Sequence, residues 1–576
     1  MTPTFMGRLN AARIQALLPT RTDVQAMGRQ PRRDVVAGIT VAIVALPLAL
    51  GFGVSSGMGA EAGLVTAIVA GAIAALFGGS NLQVSGPTGA MTVVLVPVVH
   101  QFGPSGVLTV GLLAGVLLIA LALARAGRYV RYVPVPVVEG FTVGIAAVIA
   151  LQQIPTALGV PVPEGENVTL VAARAVADFA AAPRWPALAV ALGVAVVMLL
   201  GARWRPVVPF SLFAVAVATI VIELTDLPVA PIGQLPATLP APSLSFLDFS
   251  ALGALLPSAV AIAALAALES LLSATIADAM SVDQRHDPDR ELFGQGLANL
   301  VTPLFGGVPA TAAIARTAVN VRSGAASRLA ALTHAVALVL IVLAAAPLVA
   351  YIPVAALAGV LLATALRMVE VGSLAALARS TRRDALVMAL TAVATLALDL
   401  VKAVILGLVL AGALALQAIA RSTRVEEVAL HADRPIGDHG EEERALLTEH
   451  IVAYRLDGPL FFAAAHRFLL ELSEVADVRV VILRMSRVST IDATGAHVLG
   501  DAITRLERRG IKVLLSGIRA GHDQVLSTLG VADHLRRDGL IFPDTPAAIA
   551  HARGHLRQSG LPPFSGMLRA SPEPPG

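Results

Sequence analysis

The chain has 576 residues, 56% of them hydrophobic and only 14% charged, and its mean hydropathy is +0.78. That composition excludes an ordinary soluble domain and identifies an integral membrane protein. The net charge of +3 comes largely from arginines in short stretches between apolar runs, so the basic balance reports membrane topology and not nucleic-acid binding. Without cysteine, neither disulfides nor thiolate metal sites arise.

Residues 1–33 scatter Arg8, Arg13, Arg21 and Arg29 among apolar residues, without the compact pattern of a signal peptide, and are expected to be a cytoplasmic segment. Apolar segments follow at 34–50, 61–77, a broken 87–99, 105–124, 135–154, 186–200 and 207–224. A second set lies at 252–277, 291–305, a broken 310–321, 328–346, 354–366, 384–398 and 401–420. Seven plus seven segments are thus predicted in a membrane domain at 34–424. With the N-terminus inside, the inner loops hold Arg125, Arg128, Arg203, Arg285, Arg322 and Arg367 among others. The outer connections near Val54, Asp226 and Ala350 hold none, the exceptions being Arg174 and Arg184 in a longer loop and Lys402 beside Asp399. An even number of crossings returns the C-terminus to the cytoplasm.

Composition then turns polar, which predicts a linker at 425–449. Over 450–555, strand-like runs at 451–456, 478–483 and 511–515 alternate with amphipathic helical patterns at 466–475, 495–508 and 521–529, as in a small α/β domain. The tail at 556–576 is rich in Pro, Ser and Gly and is expected to be disordered.

Two stretches are too short and too broken to span a bilayer. Residues 306–322 read GGVPATAAIARTAVNVR and residues 85–97 read SGPTGAMTVVLVP; in each, glycine and proline precede small residues and a short run, the pattern of a half-helix starting at the proline. Pro87 and Pro309 are 222 residues apart, as are Pro47 and Glu269, which predicts an internal duplication. The start of a half-helix offers unpaired N–H groups and the positive end of a dipole, so an anion is the expected guest.

Two charged residues lie in these apolar surroundings. Placing Arg316 at bilayer depth costs about 2.5 to 3.5 kcal/mol, so it faces a cavity or a partner; it reads as the anion-site charge, against a structural salt bridge. Glu269, within ALAALESLLSATIA, must be protonated or paired, and could carry a proton with the anion or neutralise Arg316. Ser273, four residues on, shares its helix face and keeps sodium open as the coupling ion, with protons favoured. Glu139 and His334 read as packing or interface residues.

These stretches resemble the sulfate permease (SulP) family of anion transporters. The resemblance rests on DVVAGITVAIVALPLALGFG (34–53), VSGPTGAMT (84–92), GFTVGIAAVIALQQIP (140–155) and GGVPATAAIARTAVN (306–320). STIDATGAHVL (489–499) is similar to the signature of a STAS domain. The family implies fourteen segments in two inverted repeats, a mobile core beside a gate, and a homodimer. It also implies an anion held between Thr88, Gly89 and Ala90 on one side and Thr311, Ala312, Ala313, Ala315 and Arg316 on the other, with Phe52 lining the site. Several relatives have glutamine where this chain has Leu48, and serines where it has Ala313 and Ala315, so backbone amides are expected to carry more of the binding. The serine that follows the aspartate in phosphorylated STAS domains is here Ala493, after Asp492.

The expected function is therefore secondary active transport of a small inorganic or organic anion of the sulfate, bicarbonate or dicarboxylate class. Alternating access with a co-transported proton, in the lipid bilayer of a bacterial inner membrane, is the favoured form. No cofactor, resident metal, catalytic residue or nucleic acid is expected. The rival readings are a sodium-coupled bicarbonate symporter, an anion exchanger, a nucleobase carrier, and a membrane sensor or scaffold that signals to a cytoplasmic STAS-binding partner.

Overall fold

Proline and glycine set many of the helix boundaries. Pro31 and Pro288 occupy first turns, where no N–H is needed, and Gly159 ends a helix in the left-handed conformation at φ 69°. The computed structural model describes residues 15–558, except 166, 205–208, 235–237, 239, 282–283, 399, 423, 429–449 and 462–477; only the backbone is described at 130–131, 400–401, 419–422, 424–428 and 557. The chain divides into two units, Met1–Ala411 and Gly412–Gly576.

The first repeat runs through α1 (Arg21–Met27), α2 (Pro31–Ser55), α3 (Ala60–Phe77), the two-residue strand β1 (Ser85–Gly86), α4 (Gly89–Leu123), α5 (Val135–Leu158), α6 (Val168–Ala181), α7 (Trp185–Trp204) and α8 (Phe210–Thr225). The second runs through α9 (Leu252–Met280), α10 (Pro288–Val301), β2 (Thr311–Ala312), α11 (Ile314–Arg322), α12 (Leu329–Ala350), α13 (Val354–Met368), α14 (Val371–Ser380), α15 (Arg382–Ala397) and α16 (Leu400–Ser422). A helix occupies each of the fourteen predicted stretches, Gly103 at φ 67° dividing α4 into two of them. Among the described residues, eight helical stretches are long and apolar enough to cross a membrane, and α8 and the part Lys402–Ala418 of α16 are shorter apolar helices.

Packing sorts these helices into two bundles. In one, α2, α3 and α4 pack with α9, α10, α11 and α12; in the other, α5, α7 and α8 pack with α13, and α15 lies along α5. The first bundle carries its polar residues inside, on α10: Gln295 and Asn299 are fully buried, and Asn299 both donates to and accepts from the backbone of Ala310 at 2.8 Å. Buried amides satisfied in this way fix non-helical backbone at membrane depth.

At one end of this bundle Asp23 is clasped by Arg290 at 2.7 Å and Arg328 at 3.6 Å, and Arg328 also donates to the carbonyls of Ala75 and Gly78. Partial burial opposes ionisation of Asp23. The Arg290 bond, the Thr20 hydrogen bonds and the Arg328 charge outweigh it and bring the carboxyl down from 3.8 to about 2. A lowered value means the clasp contributes fully above pH 3.8 and is lost as pH falls through about 2. Thermal melting of Asp23→Asn should therefore show a gap from the wild type that is constant from about pH 5 to 8 and narrows below pH 3.8; a gap that widens on acidification would contradict the clasp.

The second unit holds a five-stranded sheet in the order β3 (Arg424–Val428), β4 (Ile451–Leu460), β5 (Val480–Ile491), β6 (Lys512–Ser516) and β7 (Ile541–Phe542). β3 is antiparallel to β4 and the other neighbours are parallel. Helices α17 (Ala493–Arg508), α18 (Ala520–Thr528), α19 (Asp533–Arg537) and α20 (Thr545–Gln558) accompany it. α17 buries Ala496, Leu499, Ala502, Ile503 and Leu506 against the sheet. Residues 425–428, expected to open the linker, are instead an edge strand. The rest of the predicted linker, the predicted helix at 466–475 and the tail from 559 lie outside the described residues.

Candidate functional site

The site is built where β1 and β2 meet. Ser85 pairs with Ala312 and Gly86 with Thr311 in an antiparallel ribbon, so the chain leaves it in opposite directions into α4 and α11. Thr88 is the N-cap of α4 and Ala313 that of α11. Contrary to the sequence expectation, α11 does not start at Pro309, because residues 311–312 are held extended by the ribbon. Nor does Pro97 end α4, which continues to Gly103.

Two hydrogen bonds close the ribbon: the Ala313 amide donates to Val84 at 3.1 Å, and that of Ala312 to the Ser270 hydroxyl at 3.3 Å. These two amides, expected to bind the anion, are therefore committed to the scaffold. Thr311 is also scaffold: fully buried, it shares a 2.9 Å hydrogen bond with Ser270 and donates to Ala266. The first amides of each helix have no acceptor within it. In α4 these are Gly89, Ala90 and Met91, the first intrahelical bond being Thr92 to Thr88; in α11 they are Ile314, Ala315 and Arg316, ahead of Thr317 to Ala313. The Ala315 side chain is exposed and that of Ala313 half-buried. Phe52 is buried, and with Ile149 it closes the space that a Cβ on Gly89 would need, 3.1 Å from the Phe52 Cε1.

Neither N-cap spends a side chain on its own helix. The Thr88 hydroxyl donates instead to Oε2 of Glu269 at 3.0 Å, which brings the predicted carboxylate to the mouth of α4. Ser273 is not brought to that carboxylate; fully buried, it donates to the Thr317 hydroxyl, which accepts from the Val84 amide.

Arg316 is 1% exposed. Residues in the first turn of a helix point their side chains back toward its N-terminus, and that of Arg316 reaches under the ribbon to donate from Nη2 to the Pro87 carbonyl at 2.7 Å. Its Nη1 fills the space that a side chain at position 86 would need: a Cβ on Gly86 would stand 2.5 Å from it. Among the described residues Arg316 makes no ion pair within 4 Å. One guanidinium charge and two positive helix ends thus converge on one place, with the Glu269 carboxylate at its edge.

Sequence reasoning missed Ser270, Gln295 and the Met91 and Ile314 amides. The Gln295 side chain donates to the hydroxyl of Ser85 at 2.7 Å and to Glu291, whose carboxylate in turn accepts the amides of Gly79 and Ser80. The available signal was three polar residues, Glu291, Gln295 and Asn299, spaced four apart in an otherwise apolar segment. Glu139, read as an interface residue, accepts from Ser373 at 2.9 Å.

Opposed half-helices inside a polytopic helical bundle, joined in one chain to a small α/β domain, define a membrane transporter and not an enzyme. The sulfate permease family pattern matches residues 32–391, and the STAS domain pattern residues 444–548. The chain is 34% identical to YvdB of Bacillus subtilis, a protein named as a candidate sulfate transporter, over 87% of this chain and 94% of that one. It is 31% identical to the bicarbonate transporter BicA of a Synechocystis species over 85% of this chain and 88% of that one. Among solved structures, the transmembrane domain of a cyanobacterial BicA superimposes with a TM-score of 0.60 at 32% identity, covering 65% of this chain and 97% of that one. SLC26A9 superimposes over 96% of both chains with a TM-score of 0.78 at 17% identity, which is a likeness of fold. The chain belongs to the sulfate permease family of anion transporters and ends in a STAS domain.

Within that STAS domain, Asp492 accepts the Gly495 amide at 2.7 Å as the N-cap of α17. Gly495 is required there, since a Cβ would collide with the carbonyl of Leu460. The aspartate and glycine of the signature therefore have structural work in this chain.

Proposed function

We propose that the protein takes up a small anion of the sulfate, bicarbonate or dicarboxylate class across a bacterial plasma membrane, by alternating access, in symport with a proton. The N- and C-termini face the cytoplasm, fourteen segments cross the membrane, and the carrier works as a homodimer. The anion lies between the free amides of α4 and α11, beside Arg316 and Phe52. The observation that carries this reading is the hydrogen bond from Thr88 to Glu269, which ties an intramembrane carboxyl to the cap of one anion-binding helix. Protonation of Glu269 would remove a negative charge from beside the incoming anion, and its release on the inner side would return it. A sodium-coupled bicarbonate carrier is the second reading; the identity to BicA, named a bicarbonate transporter, supports its substrate. The proton is favoured because Glu269 is hydrogen-bonded to Thr88 and not paired with Ser273 as a joint oxygen ligand.

Purified protein in liposomes should accumulate labelled sulfate, bicarbonate or fumarate under an inward proton gradient and not under a sodium gradient alone. Sodium-driven accumulation would transfer the assignment to the second reading. Exchange of internal for external anion without a response to either gradient would make the protein an exchanger.

A further inference from the structure

His334 of α12 was read as a packing residue, yet it is an unusual one. Its side chain is fully buried, and neither ring nitrogen has a hydrogen-bond partner in the protein. Buried polar groups are seldom left in this condition, because desolvating them without a partner costs about 1 to 3 kcal/mol. A second orphan lies nearby. Arg316 is anchored to Pro87 through Nη2, while Nη1 has no partner.

The two orphans lie against neighbouring residues of β1, His334 near Ser85 and Arg316 near Gly86. A Cβ on Gly71 of α3 would stand 3.4 Å from the Ser85 carbonyl oxygen and 3.8 Å from Cδ2 of His334, so the absent side chain leaves room beside the imidazole. One residue further along β1, Nη1 of Arg316 abuts Gly86. An acceptor-capable ring and an unsatisfied guanidinium N–H, both closed off from solvent and next to small residues, are the lining that holds internal water.

We propose that His334 is a positioning residue for the anion site: water buried between its imidazole and Nη1 of Arg316 completes the hydrogen bonding of the guanidinium and fixes its charge at the junction of the half-helices. The assignment rests on the reading of Arg316 as an anion-site charge. Without that water the guanidinium is hydrogen-bonded at Nη2 alone, and its Nη1 is left without an acceptor. A carboxylate at position 334 would supply an acceptor but cancel the charge that attracts the anion. An uncharged imidazole, accepting at one nitrogen and donating at the other, holds the group and leaves its charge intact.

The test compares His334→Leu, His334→Gln, Arg316→Ala and the Arg316→Ala/His334→Leu double variant in liposomes, using whichever of labelled sulfate, bicarbonate and fumarate the wild type transports. His334→Leu should raise KM by about tenfold at an unchanged maximal rate, the loss expected for a charge-assisted hydrogen bond. His334→Gln, which can still accept and donate, should stay near the wild-type KM. In the Arg316→Ala background, His334→Leu should add nothing, since the group it positions is gone. Unchanged KM in His334→Leu beside a raised KM in Arg316→Ala would overturn this assignment alone. Equal impairment of Leu and Gln variants at equal folded yield, or effects that multiply in the double variant, would overturn it too. Unchanged KM in Arg316→Ala would overturn the anion-site reading and this assignment with it.

Discussion

Arg316→Ala is expected to raise the KM for the transported anion by about ten- to a hundredfold, the range for losing one charge-assisted contact. The guanidinium reinforces two helix N-termini whose free amides lie on either side, so three sources of positive potential act on one guest. Removing the guanidinium charge leaves at the two helix ends partial positive charges that are weaker and more easily screened. It also strips the Pro87 carbonyl of its donor and loosens the tie between the repeats, so the maximal rate should fall as well. Arg316→Lys separates the two effects. Lysine keeps the charge but is a point donor without the planar fork that reaches Pro87 while presenting a second N–H. It should recover part of the affinity and less of the rate. Concentration-dependent uptake in liposomes, with melting curves to verify folding, measures both. Wild-type affinity in Arg316→Ala would make the residue a structural tie between repeats and nothing more.

The charged residues in apolar surroundings were legible in the sequence because their cost is high wherever they are placed: Arg316 and Glu269 stood out before any geometry was known. The half-helices were legible as interruptions, and the family as four ordered motifs. What could not be read was which amides are free. Proline and glycine mark where a helix becomes possible, but α11 starts at Ile314 because Thr311 and Ala312 pair with Ser85 and Gly86 across more than two hundred residues of chain. A two-residue ribbon has no periodicity and left no trace in the pattern. The resemblance implied that Ala312 and Ala313 bind the anion, whereas Ser270 and Val84 take their amides. In the STAS domain, β3 was hidden by its composition: RVEEV looks like linker until its antiparallel pairing with 453–457 is known.

Glu269→Gln should abolish proton-driven accumulation while sparing exchange. Glutamine is nearly isosteric, and its side-chain oxygen can accept the Thr88 hydroxyl as the carboxylate does at 3.0 Å, so the cap of α4 stays in place. What glutamine cannot do is bind and release a proton. In vesicles with the membrane potential clamped at zero, a gradient of one pH unit is worth about 1.4 kcal/mol per proton and sustains about tenfold accumulation at one proton per anion. The variant should bring internal anion only to the external concentration, a loss of that entire factor. Counterflow of labelled anion against unlabelled anion needs only the loaded carrier to reorient, and it should continue at a rate comparable to the wild type. Glutamine imitates the protonated, anion-ready state, so the KM should not rise and should lose its dependence on external pH. Retained proton-driven accumulation in Glu269→Gln would place the proton carrier elsewhere. Loss of counterflow as well as accumulation would mean that the carboxylate is needed for reorientation itself, not for coupling.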